Sequence, residues 1–387
     1  MKYPLCLLLL LFVNTIYAQK VNVKKEFVFA QKQTDYMLQE IKKADVKPDQ
    51  VSPRTFENGK LKIVNSRDWT SGFFPGELWY LFEYTGDKKW LEQAKEFTVK
   101  LDKEQFNITT HDLGFMMYCS YGNGYRLTHD ETYKNVIIQS AKSLSTRFNP
   151  KVGLIRSWDH HNDQWKYPVI IDNMMNLELL FEATKLTGDS SFYKIAVSHA
   201  NTTLKNHFRA DYSSYHVVDY DPETGEVRKK MTHQGYADES AWARGQAWAL
   251  YGFTLCYRET GDTLYLNQAQ NIANFILNNP NLPKDLVPYW DYNDPTIPNT
   301  SRDASAAAIT ASALYELAGY AKLPLYKKKA DIILSSLGKS YHAPINGKGG
   351  FILDHSTGHR PAKSEIDVPI NYADYYYLEA LLRSKKK

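Results

Sequence analysis

The string Thr-Gly-Asp recurs at residues 85–87, 187–189 and 260–262, each time followed by an aromatic residue and then an alanine four positions later: Trp90 and Ala94, Phe192 and Ala196, Tyr265 and Ala269. Looser copies stand at Thr128-His129-Asp130, before Tyr133, and at Ala321-Lys322-Leu323-Pro324, before Tyr326 and Ala330. Self-similarity at a period of tens of residues points to one supersecondary unit used repeatedly. Here the unit is a helix, a tight joint and a second helix.

The segments before the joints, at about 71–84, 112–126, 173–186, 241–258 and 304–319, are rich in small and aromatic residues and poor in charge, and a sixth at about 371–383 ends the chain. Such all-round apolarity predicts buried helices. The segments after the joints, at about 88–102, 131–147, 190–207, 263–278 and 326–339, carry one apolar stripe, as does a further one at about 24–43. Stripes at the helical period predict helices with one wet face. Six buried helices alternating with six amphipathic ones predict an all-α fold, an (α/α)6 barrel in which an inner ring is wrapped by an outer one. An open solenoid would need polar capping helices at its ends, and the apolar last segment argues against one. No Pro/Gly/Ser linker breaks the alternation, so residues 19–387 are expected to form a single domain. The long connections 148–171, 208–240, 279–303 and 340–370 are expected to gather on one face as loops and small β excursions, with the alternation over Tyr215–Tyr220 reading as a strand.

The first residues read differently. Lys2, the apolar run Leu5–Val13 and the small residue Ala18 match a secretory signal cleaved after position 18, and the run is too short to span a bilayer. The expected product is exported, most simply to a periplasm, without a stable membrane contact. Removal of Cys6 leaves Cys119 and Cys256 in apolar helical patterns, which is no disulfide framework. A net charge of +4 without a long basic run excludes a nucleic-acid footprint, the terminal lysines reading as a solvated tail. Oligomeric state is not legible.

If the ring closes, the N-termini of all six inner helices share one end. Asp68-Trp69-Thr70, His111-Asp112, Asp172-Asn173, Asp238–Arg244, Ser301-Arg302-Asp303 and Asn371-Tyr372 lie there. Helix capping accounts for any one of these aspartates. It does not account for Trp69, His111, Trp158, His216, Gln234, Trp242, Arg244 and Trp248 in the same loops and first turns. Aromatic faces stack on sugar rings while polar side chains read hydroxyls, so a carbohydrate site is one reading and ordinary core packing of the tryptophans is the other. Asp112 and Asp172 open consecutive inner helices. Acid–base chemistry on a sugar needs one carboxyl kept protonated by apolar surroundings beside a second carboxyl. Phe115 and Met116 flank the first, and Ile170, Ile171, Met174 and Met175 flank the second. Arg244 is a candidate bidentate partner for an anionic substrate. No phosphate-binding glycine loop is present, and Asp159-His160-His161 with Asp163 lacks a helical two-histidine spacing, so neither metal nor cofactor is expected.

The segments Trp69-Thr70-Ser71-Gly72-Phe73-Phe74-Pro75-Gly76, His111-Asp112-Leu113-Gly114-Phe115, Ile171-Asp172-Asn173-Met174-Met175-Asn176, Thr232-His233-Gln234-Gly235 and Ser240-Ala241-Trp242-Ala243-Arg244-Gly245-Gln246-Ala247-Trp248 resemble the unsaturated glucuronyl hydrolases of glycoside hydrolase family 88, in the family's order and over nearly the whole chain. The resemblance implies the same (α/α)6 barrel. It implies an enzyme that takes lyase-generated oligosaccharides, glycosaminoglycan-type ones first, and hydrates the C4=C5 bond of their terminal unsaturated uronic acid. It further implies Asp172 as the general acid, Asp112 as its partner, and Trp69, His111, His216, Thr232, Gln234, Trp242, Arg244 and Trp248 as the substrate pocket. Related alternatives are an unsaturated rhamnogalacturonyl hydrolase, an inverting glycosidase on the same barrel and a periplasmic sugar-binding protein without turnover. The loop His355–Ser364 reads either as a site for sulfate or a second carboxylate, or as a solvated turn.

Overall fold

The computed structural model describes residues 21–160 and 162–385. The expected signal segment, His161 and the last two lysines lie outside them. Among the described residues twelve helices follow one another: α1 (Val23–Lys43), α2 (Phe73–Thr85), α3 (Lys88–Val99), α4 (Asn123–Thr128), α5 (Glu131–Ser145), α6 (Leu177–Thr187), α7 (Ser190–Asn206), α8 (Ala243–Thr260), α9 (Thr263–Asn278), α10 (Ala304–Ala321), α11 (Pro324–Ser340) and α12 (Asn371–Ser384). Two inner members begin irregularly. A π-helical stretch, Gly114–Gly122, runs into α4, and a 3-10 turn, Ile171–Asn176, runs into α6. Even-numbered helices pack side by side in the order α2, α4, α6, α8, α10, α12 and back to α2, the π-helical stretch before α4 making the contact with α6, which closes the inner ring, and each odd-numbered helix lies outside it. The (α/α)6 barrel is therefore the fold.

The recurrent joint has a physical role for each of its residues. Thr85 Oγ1 donates to the Leu81 carbonyl at 2.7 Å and accepts the Asp87 N–H at 3.1 Å. Gly86 takes the left-handed conformation that ends an inner helix (φ 69°), and the Asp87 carboxylate caps the next helix by accepting the Lys89 N–H at 2.9 Å. The same arrangement recurs at Thr187-Gly188-Asp189 and Thr260-Gly261-Asp262. In the looser copies His129 and Lys322 occupy the left-handed position. A joint of this kind turns the chain back within three residues, so each buried helix is followed directly by its amphipathic cover.

Burial follows the two patterns. Residues 304–315 of α10 are buried on every side, whereas α9 buries Tyr265, Gln268, Ala269, Ile272, Ala273 and Ile276 along one stripe. The far end of the ring is closed by polar contacts among inner helices: Glu379 accepts from Tyr80, Tyr251 and Ser312, and Arg258 and Arg383 both pair with Glu316. Small sheets occupy the other end. They are the hairpin β1 (Gln50–Glu57) and β2 (Lys60–Asn65), the pair β3 (Phe148–Asn149) and β4 (Leu154–Ile155), the three-stranded antiparallel β5 (Pro168–Ile170), β6 (Val217–Tyr220) and β7 (Val227–Met231), and the hairpin β8 (Ser356–His359) and β9 (Ser364–Val368). The strand expected at 215–220 is β6. The β1–β2 hairpin has no counterpart in the sequence reading. The 355–364 segment, open between a ligand site and a solvated turn, forms most of the β8–β9 hairpin.

Candidate active site

Side-chain contacts tie the N-terminal ends of all six inner helices together. Asn371 Nδ2 donates to the Thr70 carbonyl at 3.0 Å, linking α12 to α2. The Trp69 ring lies 5.5 Å from Phe115 and 5.1 Å from Tyr372, and Phe115 lies 5.1 Å from Trp248. Arg244 at the start of α8 reaches Asp303 at the start of α10 at 3.0 Å.

Close approach of the second and third inner helices brings the two carboxyl groups near enough for the charge of Asp112 to act on Asp172. Gly114 faces Asn176, whose Oδ1 accepts the Phe115 N–H at 3.0 Å, and a Cβ on Gly114 would lie 2.5 Å from the Asn176 Cα. A Gly114→Ala substitution is therefore expected to destabilise the fold by about 1–3 kcal/mol. Thermal unfolding tests this, and an unchanged midpoint would contradict it.

Capping does not account for the two aspartates. Neither inner helix that they precede has a side-chain cap at its start, whereas Asp303 caps α10 through the Ser305 and Ala306 amides. Asp172 is buried, as are its apolar chain neighbours Ile170, Ile171, Met174 and Met175. Its burial, opposed by the charge of Arg244 and reinforced by that of Asp112, pushes the carboxyl from the usual 3.8 up to about 7. Asp112 is partly open to solvent, its Oδ2 accepting from the Thr110 hydroxyl at 2.8 Å and its Oδ1 lying 3.3 Å from His111 Nε2. His111 is fully buried, and desolvation lowers its pKa against the pull of Asp112.

His216, immediately before β6, places Nε2 3.8 Å from Asp172 Oδ2 and lies 4.6 Å from the Trp242 ring. Several buried polar atoms around Asp172 and Arg244 have no hydrogen-bond partner: Asp172 Oδ2, His216 Nε2, Arg244 Nε and the Tyr372 hydroxyl, while the Trp248 indole approaches the Asp172 carboxyl as a donor. Unpaired buried polar atoms are costly one by one, and such a concentration marks a place prepared for a polar ligand.

Arg244 differs from the free bidentate partner expected for it. Nη1 donates to Asp303 and the Thr357 carbonyl (3.0 and 2.5 Å), and Nη2 donates to Gln234 Oε1 and the Gly358 carbonyl (2.9 and 2.6 Å). Four N–H groups are thereby engaged, leaving Nε for a ligand. The guanidinium is a strut that fixes β8 and aims Gln234. It also stacks 4.6 Å over Trp242 and 5.3 Å over Tyr372. Thr232 sits in a turn, where its hydroxyl accepts the Gly235 N–H at 2.8 Å. Among the tryptophans, Trp69 is partly exposed, while Trp242 and Trp248 are buried in the wall. Tyr372 was not singled out as a site residue. It is fully buried between Trp69 and Arg244, and its place in the first turn of the last inner helix was the available signal.

Trp158, the other aromatic candidate, stacks on His160 and meets His216 at 5.9 Å. Among the described residues no group of three His, Cys, Asp or Glu side chains is placed to hold a metal ion, and no helix is long and apolar enough to cross a membrane.

The family model for Glycosyl Hydrolase Family 88 matches residues 34–383. An unsaturated glucuronyl hydrolase of Formosa agariphila is 54% identical over 324 residues, covering 83% of this chain and 81% of that protein. An unsaturated chondroitin disaccharide hydrolase of Streptococcus pneumoniae is 36% identical over 350 residues, covering 88% of this chain and 87% of that protein. Among solved structures, an unsaturated glucuronyl hydrolase described as specific for heparin superposes with a TM-score of 0.88 at 47% identity, covering 94% of this chain and 96% of that one.

Proposed function

The chain belongs to glycosyl hydrolase family 88, and from that membership we propose that it is an unsaturated glucuronyl hydrolase, removing the 4,5-unsaturated uronic acid from the non-reducing end of glycosaminoglycan-type oligosaccharides left by a lyase. The observation that carries the reading is Asp172. It is a buried carboxyl pushed up to about 7, next to a second carboxyl and facing a group of unpaired polar atoms.

A carboxyl that keeps its proton near neutrality can deliver it to carbon, and an alkene conjugated to a carboxylate needs such an acid. The Asp172 proton goes to C4, and the positive charge that develops at C5 is shared with the ring oxygen. Water adds its oxygen to C5 and returns one proton to the Asp172 carboxylate, so the acid is regenerated. The resulting hemiketal opens at C5. The C1 hemiacetal then collapses, releasing a keto-uronic acid and the shortened sugar. Asp112, one helix away, supports the protonated state of Asp172 and is the acceptor available to ring hydroxyls. The partly exposed Trp69 offers a face to a flat ring at this position, and the buried rings of Trp242, Trp248 and Tyr372 back the wall behind it.

Incubation with unsaturated disaccharides prepared from heparin and from chondroitin is expected to remove the ultraviolet absorbance of the conjugated double bond. Persistence of that absorbance, or its loss only with pectin-derived unsaturated disaccharides, would contradict the assignment. Export is part of the proposal and is supported by the Leu5–Val13 run before Ala18. N-terminal sequencing of the secreted protein is expected to start after Ala18, and retention of Met1 would exclude cleavage.

A further inference from the structure

The connection between β6 and α8 contains a device that the reaction scheme does not use. His216 Nδ1 receives two backbone N–H groups, from His233 at 3.0 Å and from Gln234 at 3.1 Å. A ring nitrogen that accepts has its lone pair turned to the donors and carries no proton, so in the neutral imidazole the proton sits on Nε2. Nε2 is buried, has no other partner and lies 3.8 Å from Asp172 Oδ2.

The two amides are held in place from three sides. The Thr232 hydroxyl accepts the Gly235 N–H at 2.8 Å, the Thr232 N–H donates to Asp238 Oδ1 at 2.9 Å, and His359 Nε2 lies 3.0 Å from the His233 carbonyl. Burial, with His233 and Arg244 as nearby positive or potentially positive groups, lowers the His216 pKa well below its usual value, so the ring stays neutral.

We propose, resting on the reaction assigned above, that the Thr232–Gly235 turn is a tautomer lock. It holds His216 Nε2–H 3.8 Å from Asp172 Oδ2, so that a hydrogen bond closes between them as the carboxyl becomes anionic when its proton leaves for C4, and it bars His216 from acting as the base. A histidine with a free Nδ1 or Nε2 lone pair at this distance would compete with Asp172 for the proton of the adding water. With the lone pair occupied by two amides, that proton returns to Asp172. His216 then stabilises charge that appears only as the reaction proceeds, where a preorganised donor is most effective. Thr232 is accordingly a positioning residue and contacts no reacting atom.

The test uses the full chain with 15N-labelled histidine and long-range proton–nitrogen correlation spectra recorded without substrate, together with three variants. In the wild type the His216 resonances are expected to show an unprotonated Nδ1 and a protonated Nε2 throughout the pH range of activity. Glutamine places an amide N–H near the Nε2 position and asparagine reproduces only the Nδ1 acceptor, so His216→Gln is expected to keep kcat within about tenfold while His216→Asn loses about 100-fold, with KM changing less than kcat. Thr232→Val is expected to let the opposite tautomer appear in the spectrum and to lower kcat with it. A protonated Nδ1 or an imidazolium in the wild type would overturn the proposal, as would His216→Asn turning over as fast as His216→Gln. The wild-type spectrum decides even where a variant fails to fold. A wild type inert toward unsaturated disaccharides would sink the reaction assignment while leaving the lock to be judged by its spectrum.

Discussion

Asp172→Asn is expected to abolish turnover of unsaturated disaccharides, by about 1,000-fold or more, while making the folded protein more stable at neutral pH. Asparagine has the shape of the carboxyl but no proton to place on C4. The gain in stability follows from linkage. The folded state holds the Asp172 proton up to about pH 7, whereas the unfolded chain releases it near the usual 3.8. Between those values the native state binds more protons, so the stability of the wild type falls as pH rises through this window and levels off above it. At about 1.4 kcal/mol for each pKa unit the difference is on the order of 4 kcal/mol at most, and a neutral amide avoids it. The variant should therefore have the higher thermal midpoint above about pH 7, with the gap closing below about pH 4. Unfolding scans across pH measure this directly. A variant that is less stable than the wild type at every pH would mean that Asp172 is not strained by its burial, and a fully active one would remove it from the chemistry.

The second large effect is expected at Asp112. Its negative charge raises the pKa of Asp172, so Asp112→Asn should lower the pH at which Asp172 gives up its proton. In the wild type kcat/KM is expected to fall as pH rises past about 7, where the acid is lost. The variant should show that fall at a lower pH, with maximal turnover reduced on the order of 100-fold. Asparagine still offers an oxygen to the Thr110 hydroxyl, so the local loop is expected to survive. Pre-steady-state or steady-state pH profiles of both proteins give the comparison. An alkaline limb that moves upward in the variant would show that Asp112 does not act on Asp172 through its charge.

Much of this architecture was legible because the repeat is local. Thr85-Gly86-Asp87 and its copies specify a helix end, a left-handed residue and a cap within three positions, so the joints fall where the sequence placed them. The aspartates that cap are those of the joints, Asp87, Asp130, Asp189 and Asp262, together with Asp303. That leaves Asp112 and Asp172 unexplained by capping, which composition alone could not separate. The motifs brought His216, Gln234, Trp242 and Arg244 to one place, but their roles depend on partners far away in the chain. Arg244 is engaged by the Thr357 and Gly358 carbonyls, more than a hundred residues on, and no local pattern records that. The π-helical opening at Gly114–Gly122 and the β1–β2 hairpin were likewise missed. At the start of the first, Gly114 meets Asn176 of the next inner helix, a contact that no local pattern records. The second is held by tertiary contacts such as the bidentate pairing of Arg54, within β1, with Glu365 of β9.

The central claim is that this active site hydrates a double bond through a proton delivered to C4. It is tested most directly by letting the wild type act on an unsaturated disaccharide in deuterium oxide and locating the label in the released uronic acid by nuclear magnetic resonance. Enzymatic hydration predicts a single deuterium on one face of C4 in the earliest product, with the ultraviolet absorbance lost no later than the shortened sugar is released. Release of the sugar ahead of the loss of absorbance, with deuterium on both faces of C4, would mean displacement at the anomeric carbon followed by ketonisation in solution, and would contradict it.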